Sequence, residues 1–345
     1  MRRLPKPALG PGEMLVRVTC CTICGSDVHT YEGHRDTPLP TILGHEVLGR
    51  VEAFATGGDF RAHAGEPLRV GDRITWSIAA SCGSCFFCTR ELPQKCETLF
   101  KYGHAKIDAT HALSGGLAEH CHLLPGTAVF RLPDALPDEA ACPINCATAT
   151  VAAAIRHGGG CEGETVLVLG AGMLGLTACA MARTGGARQV IACDLDSKRL
   201  GLAERFGATR SVLVGQDATE LEAAVCDATD GKRADLALEL SGAPAAVKAG
   251  IDLVRIGGRL MLVGSVFPTP DVPVCPERIV RRLLTIRGVH NYAPQDLARA
   301  VEFMSGGAER FPFAELVARS FPLQEAESAM RFAVERKPHR VAVVP

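Results

Sequence analysis

The chain has 345 residues, 47% of them hydrophobic and 22% charged, with 37 basic and 38 acidic side chains. That is globular composition, long enough for two domains with cores of their own, and it excludes disordered and fibrous classes. A formal net charge of −1, with no block of like charges, leaves no electrostatic drive toward nucleic acid, and none is expected as a partner. Residues 1–14 contain three prolines and no apolar stretch of export-signal length, so the expected location is cytoplasmic.

In chain order, residues up to 132 show short strand patterns at 14–20, 47–53 and 72–76, separated by turns rich in Pro and Gly. This predicts a mostly β unit. From residue 147 the texture changes. Strands at 166–169, 189–193, 234–239 and 259–263 alternate with helices at 173–183, 197–206 and 245–254. Such alternation implies parallel strands joined by crossover helices, a doubly wound α/β sheet. The expected division assigns residues 147–287 to this α/β domain, and residues 1–146 with 288–345, ending in a strand at 340–344, to the mostly β domain. Residues 165–182 carry no charge and approach the length of a membrane span, but Gly170, Gly172 and Gly175 interrupt them. They read as a strand, a turn and a helix buried in a sheet, and no membrane association is expected.

Fifteen cysteines are many for a large chain with aliphatic cores. Disulfide frameworks belong to small, loop-rich secreted scaffolds, so metal is the first explanation. Cys82-Gly-Ser-Cys85-Phe-Phe-Cys88, with Cys96 after seven intervening residues, can close a tetrahedral shell of four thiolates around one zinc ion. A shell with no open position can only brace its loop, and the spacing argues against an iron–sulfur cluster. Cys20, Cys21, Cys121, Cys142, Cys161, Cys179, Cys193, Cys226 and Cys275 lack metal spacing and read as small buried hydrophobes.

Gly170-Ala-Gly172-Met173-Leu174-Gly175 follows a strand and opens a helix, with Asp194 nineteen residues beyond the last glycine at the end of the next strand. Small residues let the backbone approach a pyrophosphate at the helix N-terminus. Asp194 can accept from ribose hydroxyls and would repel a 2′-phosphate, which favours NAD; Arg199 is the residue that would welcome the phosphate instead. Cys24-Gly-Ser26-Asp27-Val-His29 and Gly44-His45-Glu46 are each ambiguous alone. With Cys146 they could supply two cysteines and one histidine to a zinc ion whose fourth position stays open, the stoichiometry of a catalytic site.

Taken together, these motifs resemble the zinc-dependent medium-chain alcohol dehydrogenases. The Cys-Gly-Ser-Asp motif at Cys24, the Gly-His-Glu at His45, the Gly71-Asp72-Arg73-Ile74 turn, the four-cysteine lobe and the dinucleotide fingerprint occur in that family's order over nearly the whole chain. The resemblance implies a GroES-like catalytic domain interrupted by a Rossmann domain, two zinc ions per chain, and assembly as a homodimer or homotetramer. It places Cys24, His45 and Cys146 on the catalytic zinc ligands, Glu46 as the neighbouring carboxylate, and Asp27 as the group orienting His45. Ser26 falls on the position that takes the alcohol proton and His29 on the one that passes it to solvent. Family members usually begin with a β-hairpin before the stretch at Glu13; here either the start lies late or an edge strand is missing. A non-catalytic, zinc-braced redox sensor is the alternative, and it would lack the open zinc site.

The interval from Cys24 to His45 fits the family without gaps, so positions in the substrate region can be matched as well. Arg35 and Lys101 then fall where apolar side chains are usual, with Ile78 as an apolar wall. Two cations in a pocket for neutral alcohols are unneeded, and they point to an anionic substrate. The stretches 22–35 and 145–150 are also similar to a subgroup of these dehydrogenases associated with phosphonate metabolism, which makes a hydroxyalkylphosphonate or its aldehyde the expected substrate.

Overall fold

The first run of aliphatic and β-branched residues forms β1 (Met14–Thr22), in which only Arg17 is exposed. After α1 (Gly25–Tyr31) come β2 (Glu46–Phe54), β3 (Arg73–Ala80), β4 (Phe100–Lys101), β5 (His120–Leu123) and β6 (Thr127–Arg131). Next are α2 (Asp138–Ala141), a 3-10 turn at Cys142–Asn145, and α3 (Ala147–His157). Strands and helices then alternate: β7 (Thr165–Leu169), α4 (Met173–Thr184), β8 (Gln189–Asp194), α5 (Ser197–Arg205), β9 (Arg210–Leu213), α6 (Thr219–Ala228), β10 (Ala234–Glu239), α7 (Pro244–Leu253), β11 (Val254–Leu262), α8 (Pro276–Arg281) and β12 (Thr285–Gly288). The chain ends with α9 (Pro294–Gly306), β13 (Val317–Pro322), α10 (Ala326–Arg336) and β14 (Arg340–Val344). This computed structural model describes residues 2–108, 110–215 and 219–345.

Two compact units divide the chain. One comprises Met1–Ala149, Ala293–Gly306 and Phe313–Pro345; the other comprises Thr150–Tyr292 and Gly307–Pro312. The first is built on an eight-stranded sheet in the order β13-β14-β1-β2-β3-β4, with β5 added to β1 and β6 to β3. β1 runs antiparallel to β2 along its length and has β5 and β14 on its other side, so it is no edge strand. Val16, Ile74, Trp76 and Tyr102 lie at the centre of its core, while α10 covers β13 and β14 through Phe321, Met330, Val341 and Val343.

The second unit is a six-stranded parallel sheet in the order β12-β11-β10-β7-β8-β9. β7, Thr-Val-Leu-Val-Leu, is buried at every position, as expected of a central parallel strand covered on both faces. Strand order reverses at β7, and the loop leaving it carries the glycine fingerprint; the end of a strand at such a switch point is where open α/β sheets bind ligands. The fold is thus the α/β combination of a GroES-like β unit and a Rossmann sheet. The uncharged run at 165–182 resolves into β7, a glycine turn and part of α4. Among the described residues no helix is long and apolar enough to cross a membrane. The strand expected at 259–263 starts earlier, at Val254, because α7 begins at Pro244 and stops at Leu253 with no intervening loop.

Candidate active site

Four ligand-bearing side chains converge in the first unit. Cys24 ends the extended chain after β1 and caps α1, His45 and Glu46 stand at the start of β2, and Cys146 follows the 3-10 turn. One ligand atom from each lies within 4.8 Å of the others. Two sulfurs, an imidazole nitrogen and a carboxylate oxygen form a donor set that fits zinc.

The surrounding chain holds these groups in place. Fully buried Asp27 accepts from the backbone N–H of Cys24 at 2.9 Å and of Gly44 at 3.0 Å, and its Oδ1 lies 3.2 Å from His45 Nδ1. That contact fixes the ring and leaves Nε2 for a metal, the usual way a carboxylate orients a ligand histidine. Ser26 Oγ sits 3.3 Å from Nε2. Asn145 positions Cys146: its side chain accepts from the Val47 N–H at 3.3 Å and donates to the Trp76 carbonyl at 3.0 Å, tying the turn to β2 and β3.

Glu46 is pinned from two sides. Thr22, its cross-strand partner on β1, donates a 2.7 Å hydrogen bond, and Arg340 engages both carboxylate oxygens through Nε and Nη2. Arg340 reaches the site because β14 pairs with β1, Thr22 opposite Ala342, which brings the arginine level with Cys24; its Nη2 lies 3.8 Å from Cys24 Sγ. Burial raises the pKa of Glu46 against the pull of Arg340. Cys24 is held well below the ordinary thiol range, first by a hydrogen bond from Cys146 and also by Arg340 and His45, whereas that same contact and burial push Cys146 up. For His45, burial opposes charge, but Asp27 and Cys24 push its pKa up to about 10. Metal uptake here must displace protons.

Lys101, on β4 opposite Ala79, is half-buried, and burial followed by the charge of Arg35 brings its pKa down to about 8, with Cys146 and Cys24 acting the other way. Lys101 thus feels the charge of Arg35 on one side and the sulfurs of Cys146 and Cys24 on the other. Ile78 is buried on β3, its carbonyl accepting from the Tyr102 N–H. His104 went unnoticed in the sequence. Its ring centroid is 4.9 Å from that of His45, and burial together with the charges of His45, Lys101 and Arg35 brings its pKa down to about 2, so the imidazole is neutral. Its buried Nδ1 has no hydrogen-bond partner among the described residues. Thr22 and Arg340 were missed too, since no local spacing announces them. His29, on the last turn of α1, faces His34, with ring centroids 6.0 Å apart.

The second cysteine cluster lies between β3 and β4. Cys82 and Cys88 sulfurs are 4.0 Å apart and those of Cys85 and Cys96 are 3.9 Å apart. A tetrahedron with Zn–S bonds of about 2.3 Å has edges of about 3.8 Å, so the four fit one zinc ion. Backbone N–H groups of Cys85 and Cys82 point at the sulfurs of Cys82 and Cys96, both at 3.3 Å. Such donors, those of Ser84 and Cys85 above all, bring the Cys82 pKa down to about 6.

In the second unit, the Gly170–Gly175 loop joins β7 to α4. A Cβ on Gly175 would lie 1.9 Å from the Gly170 carbonyl oxygen, so only glycine allows the loop to close onto the helix. A Cβ on Gly172 would meet nothing within 4 Å, and no side chain caps the first turn of α4. This leaves space and backbone donors of the kind a pyrophosphate occupies. Met173 is buried and Leu174 partly so. Asp194 accepts from the Ala171 N–H at 2.7 Å and the Asp196 N–H at 3.0 Å, and Arg199 Nη1 lies 3.8 Å from its Oδ2.

The chain matches the alcohol dehydrogenase GroES-like domain over residues 10–134 and the zinc-binding dehydrogenase domain over residues 174–306. It is similar to 5-exo-hydroxycamphor dehydrogenase of Pseudomonas putida, 33% identical over 93% of this chain and 88% of that protein. L-threonine 3-dehydrogenase of Deinococcus deserti is 33% identical over 83% of this chain and 78% of its own length. A solved structure, an alcohol dehydrogenase from Thermotoga maritima, aligns with a TM-score of 0.92 at 31% identity, covering 98% of this chain and 93% of the other. A β unit in which two cysteines, a histidine and a glutamate converge, on a chain that also carries a dinucleotide-type sheet, is the architecture of a zinc-dependent oxidoreductase. The chain belongs to the zinc-dependent medium-chain alcohol dehydrogenase family, enzymes that act on CH–OH groups using zinc and a nicotinamide dinucleotide.

Proposed function

We propose that the protein interconverts an anionic alcohol, of the hydroxyalkylphosphonate class, and its aldehyde with NAD as hydride carrier. In this reading the first unit is the catalytic domain and the second binds the dinucleotide. The observation that carries the substrate assignment is Lys101 and neutral His104 beside Cys24, His45 and Cys146, with the charge of Arg35 acting on both. Cationic side chains recognise phosphonate oxygens by charge-assisted hydrogen bonds.

Cys24, His45 and Cys146 would hold one zinc ion, which when bound supplies Lewis acidity at the alcohol oxygen, and Cys82, Cys85, Cys88 and Cys96 would hold a second that braces the loop. Asp27 keeps His45 in its ligand orientation. Ser26 takes the alcohol proton and His29 passes it to solvent. Gly170, Gly172, Met173, Leu174 and Gly175 shape the dinucleotide loop, and Asp194 selects NAD by accepting from the adenosine ribose. Arg199, directed at Asp194 rather than away from it, supports that preference. The β12 edge of the parallel sheet, near exposed Val280 and Leu283, is the face for homo-oligomer assembly.

Steady-state rates with hydroxyethylphosphonate and with neutral alcohols of equal length test the assignment, using NAD and NADP in turn. The expected result is a higher kcat/KM for the phosphonate, falling at least ~10-fold in Arg35→Ala or Lys101→Ala, as loss of one charge-assisted contact of about 1.5–3 kcal/mol implies. Equal rates for neutral and phosphonate alcohols would remove the proposal.

A further inference from the structure

A third group of metal-ligating side chains stands apart from both cysteine sites. His29 is on the last turn of α1, and Glu32 and His34 follow it; one ligand atom from each lies within 4.8 Å of the others. His34 Nδ1 is 3.6 Å from Glu32 Oε2. The chain itself sets this arrangement. The N–H of His34 donates to the His29 carbonyl at 2.9 Å and that of Gly33 to the Thr30 carbonyl at 3.1 Å, while Gly33 adopts φ +77°. This is a Schellman ending: a left-handed glycine turns the chain so that the residue after it returns over the last helical turn. Here both residues brought together are histidines, and the glutamate lies between them in sequence.

We propose that His29, Glu32 and His34 form a reversible binding site for a transition-metal dication, with zinc as the reference ion. Two imidazole nitrogens and one carboxylate oxygen make a borderline donor set matched to zinc, nickel or copper and poor for magnesium. Ligand atoms of a tetrahedral site with metal–ligand bonds of about 2.0–2.1 Å lie about 3.4 Å apart. The backbone is already in place, so rotation of side chains closes the remaining gap, and the exposed His34 ring is able to turn. Three ligands leave a water position open, which makes the site exchangeable rather than a permanent brace.

Occupation of the site ties up the His29 imidazole. On the reading above, in which His29 carries the alcohol proton to solvent, the ion therefore slows turnover: free zinc becomes an inhibitor through the proton path, with the cysteine sites untouched. Atoms balance simply, since the ion displaces a proton or water from each imidazole and no bond within the protein breaks.

Equilibrium dialysis of the zinc-loaded enzyme against zinc, with metal analysis, tests the site, and His34→Ala and Glu32→Gln are the variants. Wild type is expected to take up one additional equivalent per chain, with affinity for that equivalent lowered ~10-fold or more in either variant, while both keep wild-type turnover in zinc-free buffer. Zinc inhibition should shift to higher concentration by the same factor. No additional equivalent, or one that both variants bind as tightly as wild type, overturns the site. An additional equivalent that depends on His34 yet leaves turnover unchanged upholds the site and refutes the proton-relay role of His29 instead.

Discussion

Replacing Arg340 by leucine removes a group that compensates a charge in the core. Glu46 is fully buried and Arg340 only 6% exposed, and the two meet through both carboxylate oxygens. Without the guanidinium, Glu46 keeps just the Thr22 hydroxyl as a partner of those two. Breaking a buried ion pair from one side costs about 3–5 kcal/mol, because the remaining charge is desolvated and uncompensated. For a domain of this size, at ~2–4 °C per kcal/mol, Tm should fall by roughly 6–20 °C. The double variant Arg340→Leu with Glu46→Gln should recover most of that loss, since no charge is left stranded. A pH series supplies a further check. Burial already raises the Glu46 pKa, and loss of Arg340 raises it further. A carboxyl whose folded pKa is raised destabilises the fold only once it ionises, so the Tm gap between wild type and Arg340→Leu should narrow as pH falls and widen as it rises. Differential scanning fluorimetry of wild type, Arg340→Leu, Glu46→Gln and the double variant between pH 5 and pH 8 reads this out. A loss below about 1 kcal/mol for the single variant, or a double variant as unstable as the two singles added, would refute the idea that the pair is a compensated buried charge.

Lys101, with its pKa near 8, should lose its charge across the mildly alkaline range, so KM for a phosphonate alcohol should rise as pH passes about 8. Lys101→Arg, which stays protonated, should flatten that rise, and identical profiles for both proteins would contradict a substrate role. Gly175→Ala drives a Cβ into the Gly170 carbonyl, so α4 must shift; NADH titration by fluorescence should show weakened binding together with about 1–3 kcal/mol of destabilisation. Unaltered affinity and Tm would show that the loop tolerates the displacement.

What could be read from the sequence was what is encoded locally. The four cysteines between 82 and 96 and the glycines between 170 and 175 each lie within one loop, so spacing alone carries their geometry. The parallel sheet was legible because β7, β8 and β10 are long aliphatic runs separated by helical periodicity. β4, with two residues, and β5 and β9, with four, are too short to show a period. Arg340 joins Glu46 across 294 positions of chain through strand pairing, and His104 reaches His45 after a turn; neither carries a signal until the sheet is assembled. Asn145 was visible only as a neighbour of Cys146, whereas its work is to bridge β2 and β3.

The placement of Arg340 has a bearing on biosynthesis. Every residue of the parallel-sheet unit precedes Arg340 in the chain, so the bulk of that unit, Thr150–Tyr292, can fold while the other still lacks its β14. During that interval Glu46 has no cation and Cys24 stands beside an open strand edge. A nascent chain should therefore acquire metal at the Cys24 site late, whereas the cysteine loop at 82–96, complete in itself, is free to capture its ion as soon as it emerges.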